Sequence, residues 1–489
     1  MAHIVMMTKG TGGDLFPYLK TGKALKSRGH EVSLVSHWYN EGKAGAAGLD
    51  FLAIDTPEEV PPYEEQVFLD RQQMGESYQD DTVLIPNHSS RQATAGEQAE
   101  GTPVISVFGV PIKKTLREFE RVSAICRPGE TILMSNYTSF TAGQLVAEKL
   151  SLPFVSVFMA PGFLPNWIID LGFFDELYKE VGKDINIVRG ELGLEPVRDW
   201  RGWLAYADRH LGLWPEWFAP VDPRWPFKVD LVGFIRDDMV TDGELPPEVN
   251  EMIERGERPV LISHGTSIPL KRDFFSVAAE ACRRLNHPGL IITKFDMVIP
   301  DILPAVVKRF DYLPFGKLMG DMGAIIHHAG IGSCGQAIAA GVPQLVLGHG
   351  YDRAENATCL KRLGVAESLT PARWTVDEVA ASLDRLLHSP DIAARCREAA
   401  HLTKAADADG TACDVIERVA AGRAAANGSA KSRHFDGNGE LFAAKKTDDK
   451  DERMRAMMEQ LTPEKRALLT SRLKQKLGEA LANRQTTRS

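Results

Sequence analysis

Short apolar runs alternate with stretches of helical period along most of the chain. His3 to Met7 is an apolar run that predicts a strand, and Leu15, Leu19, Gly22 and Leu25 follow at helical spacing, with Gly29 just beyond as a C-cap. Glu31 to Ser36 predicts the next strand, so the chain opens with the strand–turn–helix–strand unit that builds parallel sheets. Thr131–Met134 and Phe154–Met159 predict further strands. A second series starts at Pro259–Ser263, continues with a helix over Phe274–Leu285, and places short buried strands at Leu290–Thr293, Ala324–His327 and Gln344–Gly348.

Two such series in succession, joined near Gly233–Pro247, predict an α/β protein of two Rossmann-like domains facing a cleft, with a helical C-terminal extension. The expected division is an N-terminal domain over residues 1–235, a C-terminal domain over 236–424, and a linker with an amphipathic tail over 425–489. Between Pro57 and Gly101 the sequence is polar and acidic and predicts long loops. Six of the eight tryptophans lie between Asn166 and Pro226. Core or wall packing is the ordinary reading of such aromatics, and a lining for a bulky apolar ligand is the alternative. From Ala421 the chain turns rich in Ala, Gly and Ser, which marks a linker. Beyond it, Met454, Met457, Met458 and Leu461 form one helical stripe. Leu468, Leu469, Leu473, Leu477 and Leu481 form another, opened by Thr462-Pro463-Glu464.

Composition narrows the class. The chain is 44% hydrophobic and 25% charged, which excludes wholesale disorder. Its net charge of −9 argues against a general nucleic-acid binder, although the tail from Ala430 carries 14 Lys/Arg against 9 Asp/Glu. No apolar run approaches the roughly 20 residues that cross a bilayer, and no basic segment with a following apolar stretch opens the chain. Neither a transmembrane segment nor a secretory signal is therefore expected. The six cysteines never fall in a CxxC pair, so reduced thiols, a cytoplasmic location and no metal site are expected.

The chemistry concentrates between Ile325 and Leu363. A strand ends in His327-His328, and Ala329-Gly330-Ile331-Gly332-Ser333 then opens a helix with small residues and a hydroxyl beside its first turn. Unpaired N–H groups at such a helix start carry partial positive charge and hold a diphosphate, to which His328 adds a donor. Asp352 and Asn356, one strand later, are placed to accept from and donate to sugar hydroxyls. A lone histidine at a strand end is commonly structural, and glycines commonly only shape turns. Their joint order is what points to a nucleotide ligand.

This stretch, with Ala340-Gly341-Val342-Pro343-Gln344 after it, resembles the donor-binding signature of the inverting two-Rossmann (GT-B) nucleotide-sugar-dependent glycosyltransferases of the UDP-glycosyltransferase type. Gly10-Thr11-Gly12-Gly13-Asp14-Leu15-Phe16-Pro17 and Arg28-Gly29-His30-Glu31-Val32 are similar to two further family motifs, and the likeness covers residues 1–424. Trp214-Pro215-Glu216-Trp217 through Pro220, with Trp225-Pro226 and Gly233-Phe234, is similar to a bacterial rhamnosyltransferase branch. The resemblance implies that His328, Gly330, Gly332 and Ser333 bind the diphosphate, with Gly265 and Thr266 closing on it from the preceding loop. Tyr312 and Leu313 would meet the base, and Asp352, Arg353 and Asn356 the sugar. Arg353 stands where the family carries Gln, which leaves the sugar open. Asp14 is the implied general base; helix N-capping is its other reading. Gly12, Gly13, His88, Phe163, Trp167 and Trp217 are candidate acceptor contacts, and His37 is a further histidine in reach of the cleft.

The activity implied is metal-independent, inverting hexosyl transfer from a UDP- or dTDP-sugar to a hydroxyl of a hydrophobic or natural-product acceptor, such as a polyketide, nonribosomal peptide or lipid. The nucleotide sugar is a co-substrate and no cofactor is expected. A nucleotide-sugar epimerase of the same fold and a non-catalytic nucleotide-binding or scaffold protein are the alternatives. A nicotinamide-binding turn fails because its pattern needs Gly where Leu15 stands. Leu461-Thr462-Pro463-Glu464-Lys465-Arg466-Ala467-Leu468-Leu469 resembles a segment found at the start of nonribosomal peptide assembly-line modules, which implies docking of a carrier protein through residues 450–485. A solvated helical extension is the other reading of that tail.

Overall fold

Two parallel sheets take in the eight predicted apolar runs and five further short strands that the sequence pattern does not mark. The first has the order β3-β2-β1-β4-β5-β6-β7 and comprises β1 (His3–Met7), β2 (Glu31–Ser36), β3 (Asp50–Ala53), β4 (Thr131–Asn136), β5 (Phe154–Phe158), β6 (Arg209–Gly212) and β7 (Val229–Leu231). The second has the order β10-β9-β8-β11-β12-β13 and comprises β8 (Val260–Ser263), β9 (Gly289–Ile292), β10 (Val307–Phe310), β11 (Ala324–His327), β12 (Gln344–Val346) and β13 (Ala366–Ser368). β1, β4, β5, β8, β9 and β11 are buried at every position, so they read as near-continuous apolar runs and not as alternation. In both sheets the winding reverses beside the first strand, between β1 and β4 and between β8 and β11. In sheets of this kind such a reversal leaves a crevice at the carboxyl ends of the strands.

These coordinates come from a computed structural model that describes residues 1–10, 12–61, 112–136, 139–162, 182–223, 225, 227–236, 244–265, 273–348 and 351–426. Thr266, His88, Phe163, Trp167, most of the stretch 57–101 and the tail 427–489 lie outside the described residues. Five helices matter below: α1 (Gly12–Ser27), α2 (Ile112–Ile125), α3 (Ile331–Ala340), α4 (Tyr351–Leu363) and α5 (Ala408–Ala426).

The last of these returns to the first sheet's side. Ala412, Cys413, Val415 and Ile416 of α5 share a core with Leu15, Leu19 and Leu25 of α1, and Arg28 bonds both Asp414 and Glu417 at 2.6 and 3.0 Å. The helix continues to Ala426, so residues 421–426 are helical where the shift in composition predicts a linker. The physical reason is that alanine shows no amphipathic face yet is the strongest helix former. The halves are also joined through an apolar cluster in which Phe218 and Phe234 meet Cys334, Ile338 and Leu360.

The tryptophan-rich segment goes mainly to the core. Trp203 and Trp214 are fully buried, and Trp225 packs edge-on against Trp214. All six cysteines are buried, and none forms a disulfide. Among the described residues, no helix is long and apolar enough to cross a membrane.

Candidate functional site

β11 ends at His327, and the chain turns through His328-Ala329-Gly330 into α3. Ala329 is fully buried at φ +66°, in the left-handed region that costs a non-glycine residue about 1–2 kcal/mol. Two hydrogen bonds hold it there: its N–H donates to His327 Nδ1 at 3.2 Å, and Asn356 Nδ2 donates to its carbonyl at 3.0 Å. The same Asn356 nitrogen donates to Asp352 Oδ2 at 3.0 Å. Asn356 thus spends its donors on the turn and on Asp352, keeping only Oδ1 as an acceptor.

His328 sits in a cradle of glycines. A Cβ at Gly265 would stand 2.7 Å from its Cε1, one at Gly330 2.5 Å from its Nε2, and one at Gly348 2.1 Å from its carbonyl oxygen. The His264 ring stacks on its face, with centroids 4.6 Å apart and planes at 22°. Burial first, and then the neighbouring His264, Arg353 and His327, hold the His328 imidazole well below its ordinary range. It is therefore a neutral donor at physiological pH. Beside it, Gly330 is the N-cap of α3 and no side chain caps the helix. Gly332 is exposed, and nothing lies within 4 Å of where a Cβ would point; Ser333 is half-buried. The first-turn N–H groups, with the positive end of the helix dipole, are left available to an anion.

At the start of α4, burial pushes the Asp352 carboxyl up to about 6, against the opposing pull of Arg353 and of the Asn356 hydrogen bond. The loop after β5 abuts this turn, since a Cβ at Gly162 would lie 2.9 Å from Asp352 Cα. The folded carboxyl keeps its proton to higher pH than an unfolded one. Folding stability should therefore fall as pH rises from about 4 to about 6. A series of unfolding curves on wild type and Asp352→Asn checks this, and the variant is expected to lose that slope. If Asp352 accepts from a ligand hydroxyl, affinity for that ligand rises over the same interval. Tyr312, after β10, is 45% exposed, whereas Leu313 beside it is buried.

On the other side, Asp14 occupies the first turn of α1 and is buried, with its carboxylate packed on Gly10. A Cβ at Gly10 would fall 2.0 Å from Asp14 Oδ2, so only glycine leaves that carboxylate in place. Gly12 is half-buried and Gly13 exposed in the same turn. Pro17 has no N–H to offer the Gly13 carbonyl, which loosens the start of the helix. Lys9 enters the loop tied to the buried Glu118 of α2 at 2.9 and 3.1 Å. His37 is committed to Asp55, Nδ1 to Oδ2 at 2.5 Å, with both side chains buried. Burial raises the Asp55 carboxyl, but the bonds from His37 and from the Trp38 N–H outweigh it and hold it below its usual range.

Trp217 is half-buried, edge-on to Phe234, and lines a cavity of about 170 Å³ with Lys20, Gly233, Arg236 and Asp409. Sequence reasoning missed His264, Gly348, Glu118 and Asp55. Only His264 had a local signal, a histidine at a strand end directly before Gly265. Among the described residues, no three His, Cys, Asp or Glu side chains stand together to hold a metal.

Two family models match the chain: the glycosyltransferase family 28 N-terminal domain over residues 4–79, and the erythromycin biosynthesis protein CIII-like C-terminal domain over residues 290–421. The chain is 25% identical over 458 residues to the O-mycaminosyltylonolide 6-deoxyallosyltransferase of Streptomyces fradiae, covering 87% of this chain and 99% of that protein. Its fold is similar to that of the spinosyn forosaminyltransferase SpnP, with a TM-score of 0.63 at 17% identity over 86% of this chain and 99% of that one. It is also similar to the glycosyltransferase VinC, solved in complex with dTDP, with a TM-score of 0.60 at 20% identity over the same shares of the two chains.

Proposed function

The chain belongs to the GT-B glycosyltransferases, and we propose that it is an inverting enzyme that moves a sugar from a dTDP- or UDP-activated donor to a hydroxyl of a hydrophobic natural-product acceptor. One observation carries this reading: the uncapped start of α3, flanked by neutral His328, opens at the switch point of the second sheet. A diphosphate lying there accepts from first-turn N–H groups and from the His328 ring. As the bond from the anomeric carbon to the diphosphate oxygen breaks, these fixed dipoles stabilise the charge that develops on the departing nucleotide. Tyr312 offers an exposed ring to the base. Asp352, tied to the loop through Asn356, accepts from the sugar.

Asp14 takes the proton of the acceptor hydroxyl while its oxygen attacks the anomeric carbon on the face opposite the leaving group. Configuration inverts, so an α-linked donor yields a β-glycoside. The Streptomyces fradiae relative is named for transfer of a 6-deoxyhexose, which supports a natural-product acceptor and a deoxysugar donor here. The unpaired buried cysteines support a cytoplasmic setting. Docking of a carrier protein through residues 450–485 rests on the sequence resemblance of the tail. Incubation with dTDP- or UDP-sugar should release the free nucleoside diphosphate only when a hydroxyl acceptor is added. Release without acceptor, or a changed sugar with the nucleotide still attached, would replace transfer by hydrolysis or epimerisation.

A further inference from the structure

One face of His328 is covered by a second histidine that the motif does not include. His264 lies one residue past β8, the strand that pairs in parallel with β11, so the two rings meet across the switch point. They stack at 4.6 Å and 22°, and the edge of Phe274 backs His264 at 5.0 Å and 89°. Gly265 and Gly330 lie so close to Cε1 and Nε2 that a Cβ added at either would clash with the His328 ring.

We propose that His264 is a positioning residue of the donor site: its stacked ring aims the Nε2–H of His328 at the mouth of α3, and His328 receives a nucleotide diphosphate in neutral form, taking up no proton. This rests on the diphosphate lodging at α3 as proposed above. Among the described residues, His328 Nδ1 is buried with no hydrogen-bond partner, so a second proton there would be an orphaned buried donor. The single proton of the neutral ring then belongs on Nε2, against Gly330, the residue that caps α3. Most of the titratable and charged neighbours agree. From β11, His327 is itself pushed down to about 4 by burial; from the first turn of α4, the Arg353 cation opposes a further positive charge; Asp352 is the neighbour whose ionised carboxylate would favour one, and burial pushes its ionisation up to about 6. Stacking needs a flat ring at position 264 and not a titrating one.

The test is titration calorimetry of the full chain with dTDP and UDP between pH 6 and 7.5, in buffers of different ionisation heat. The expected result is a binding heat independent of buffer; uptake of close to one proton overturns the neutral His328. His264→Ala should weaken nucleotide binding at least tenfold, and His264→Phe should recover it to within about threefold. Equal losses in both variants overturn the stacking role, as does wild-type affinity in the alanine variant. Thermal unfolding of each variant separates misfolding from a lost ring. If neither nucleotide binds the wild-type chain, the donor-site reading itself falls, and this inference with it.

Discussion

The Asp14→Asn variant is expected to transfer sugar roughly 10²–10⁴-fold more slowly than wild type, the usual scale for a lost general base, while still binding the donor nucleotide. The amide is nearly isosteric with the carboxylate, so it fits the same place against Gly10. Asparagine also caps a helix start as well as aspartate does. If Asp14 served only to stabilise the first turn of α1, this substitution would leave both stability and turnover nearly unchanged. Single-turnover transfer rates, measured beside a nucleotide titration, separate the two roles. Near-normal turnover removes Asp14 as the base.

A methyl at Gly348 should be nearly as damaging, by a different route. The added Cβ would stand 2.1 Å from the His328 carbonyl oxygen and 2.6 Å from its carbon, both backbone atoms that cannot swing aside as a side-chain tip would. The His328-Ala329-Gly330 turn has to shift, although Ala329 already holds a left-handed conformation. Gly348→Ala is expected to cost about 1–3 kcal/mol of stability, the scale of overpacking. Nucleotide affinity should fall at least tenfold, because His328 and the start of α3 move together. Gly332→Ala is the contrast for stability alone, since a methyl there meets no protein atom within 4 Å. Unfolding curves of both variants and a dTDP titration of Gly348→Ala check the difference. Unaltered affinity in Gly348→Ala would mean that the turn tolerates displacement.

The tryptophan-rich segment and the final helix show where legibility ended. Trp203, Trp214 and Trp225 are core residues, yet an indole has the same signature in a sequence whether it faces a partner side chain or a ligand. The apolar residues of α5 would cover either domain equally well. What sends that helix back to α1 includes Arg28, which meets Asp414 from 386 positions away.

By itself the sequence determined the four central strands of each parallel sheet, because strands buried on both faces read as near-continuous apolar runs. It also determined the glycine-opened helix after His328, because a strand end, a tight turn and a helix start are encoded within a few residues. Only the tertiary structure decided that His264 lies flat on His328, that Gly348 touches the turn, that Asn356 spends its amide on Ala329, and that Glu118 meets Lys9. These contacts join residues from separate strands, loops and helices. Their pairing follows from how the layers stack, and no local periodicity records that.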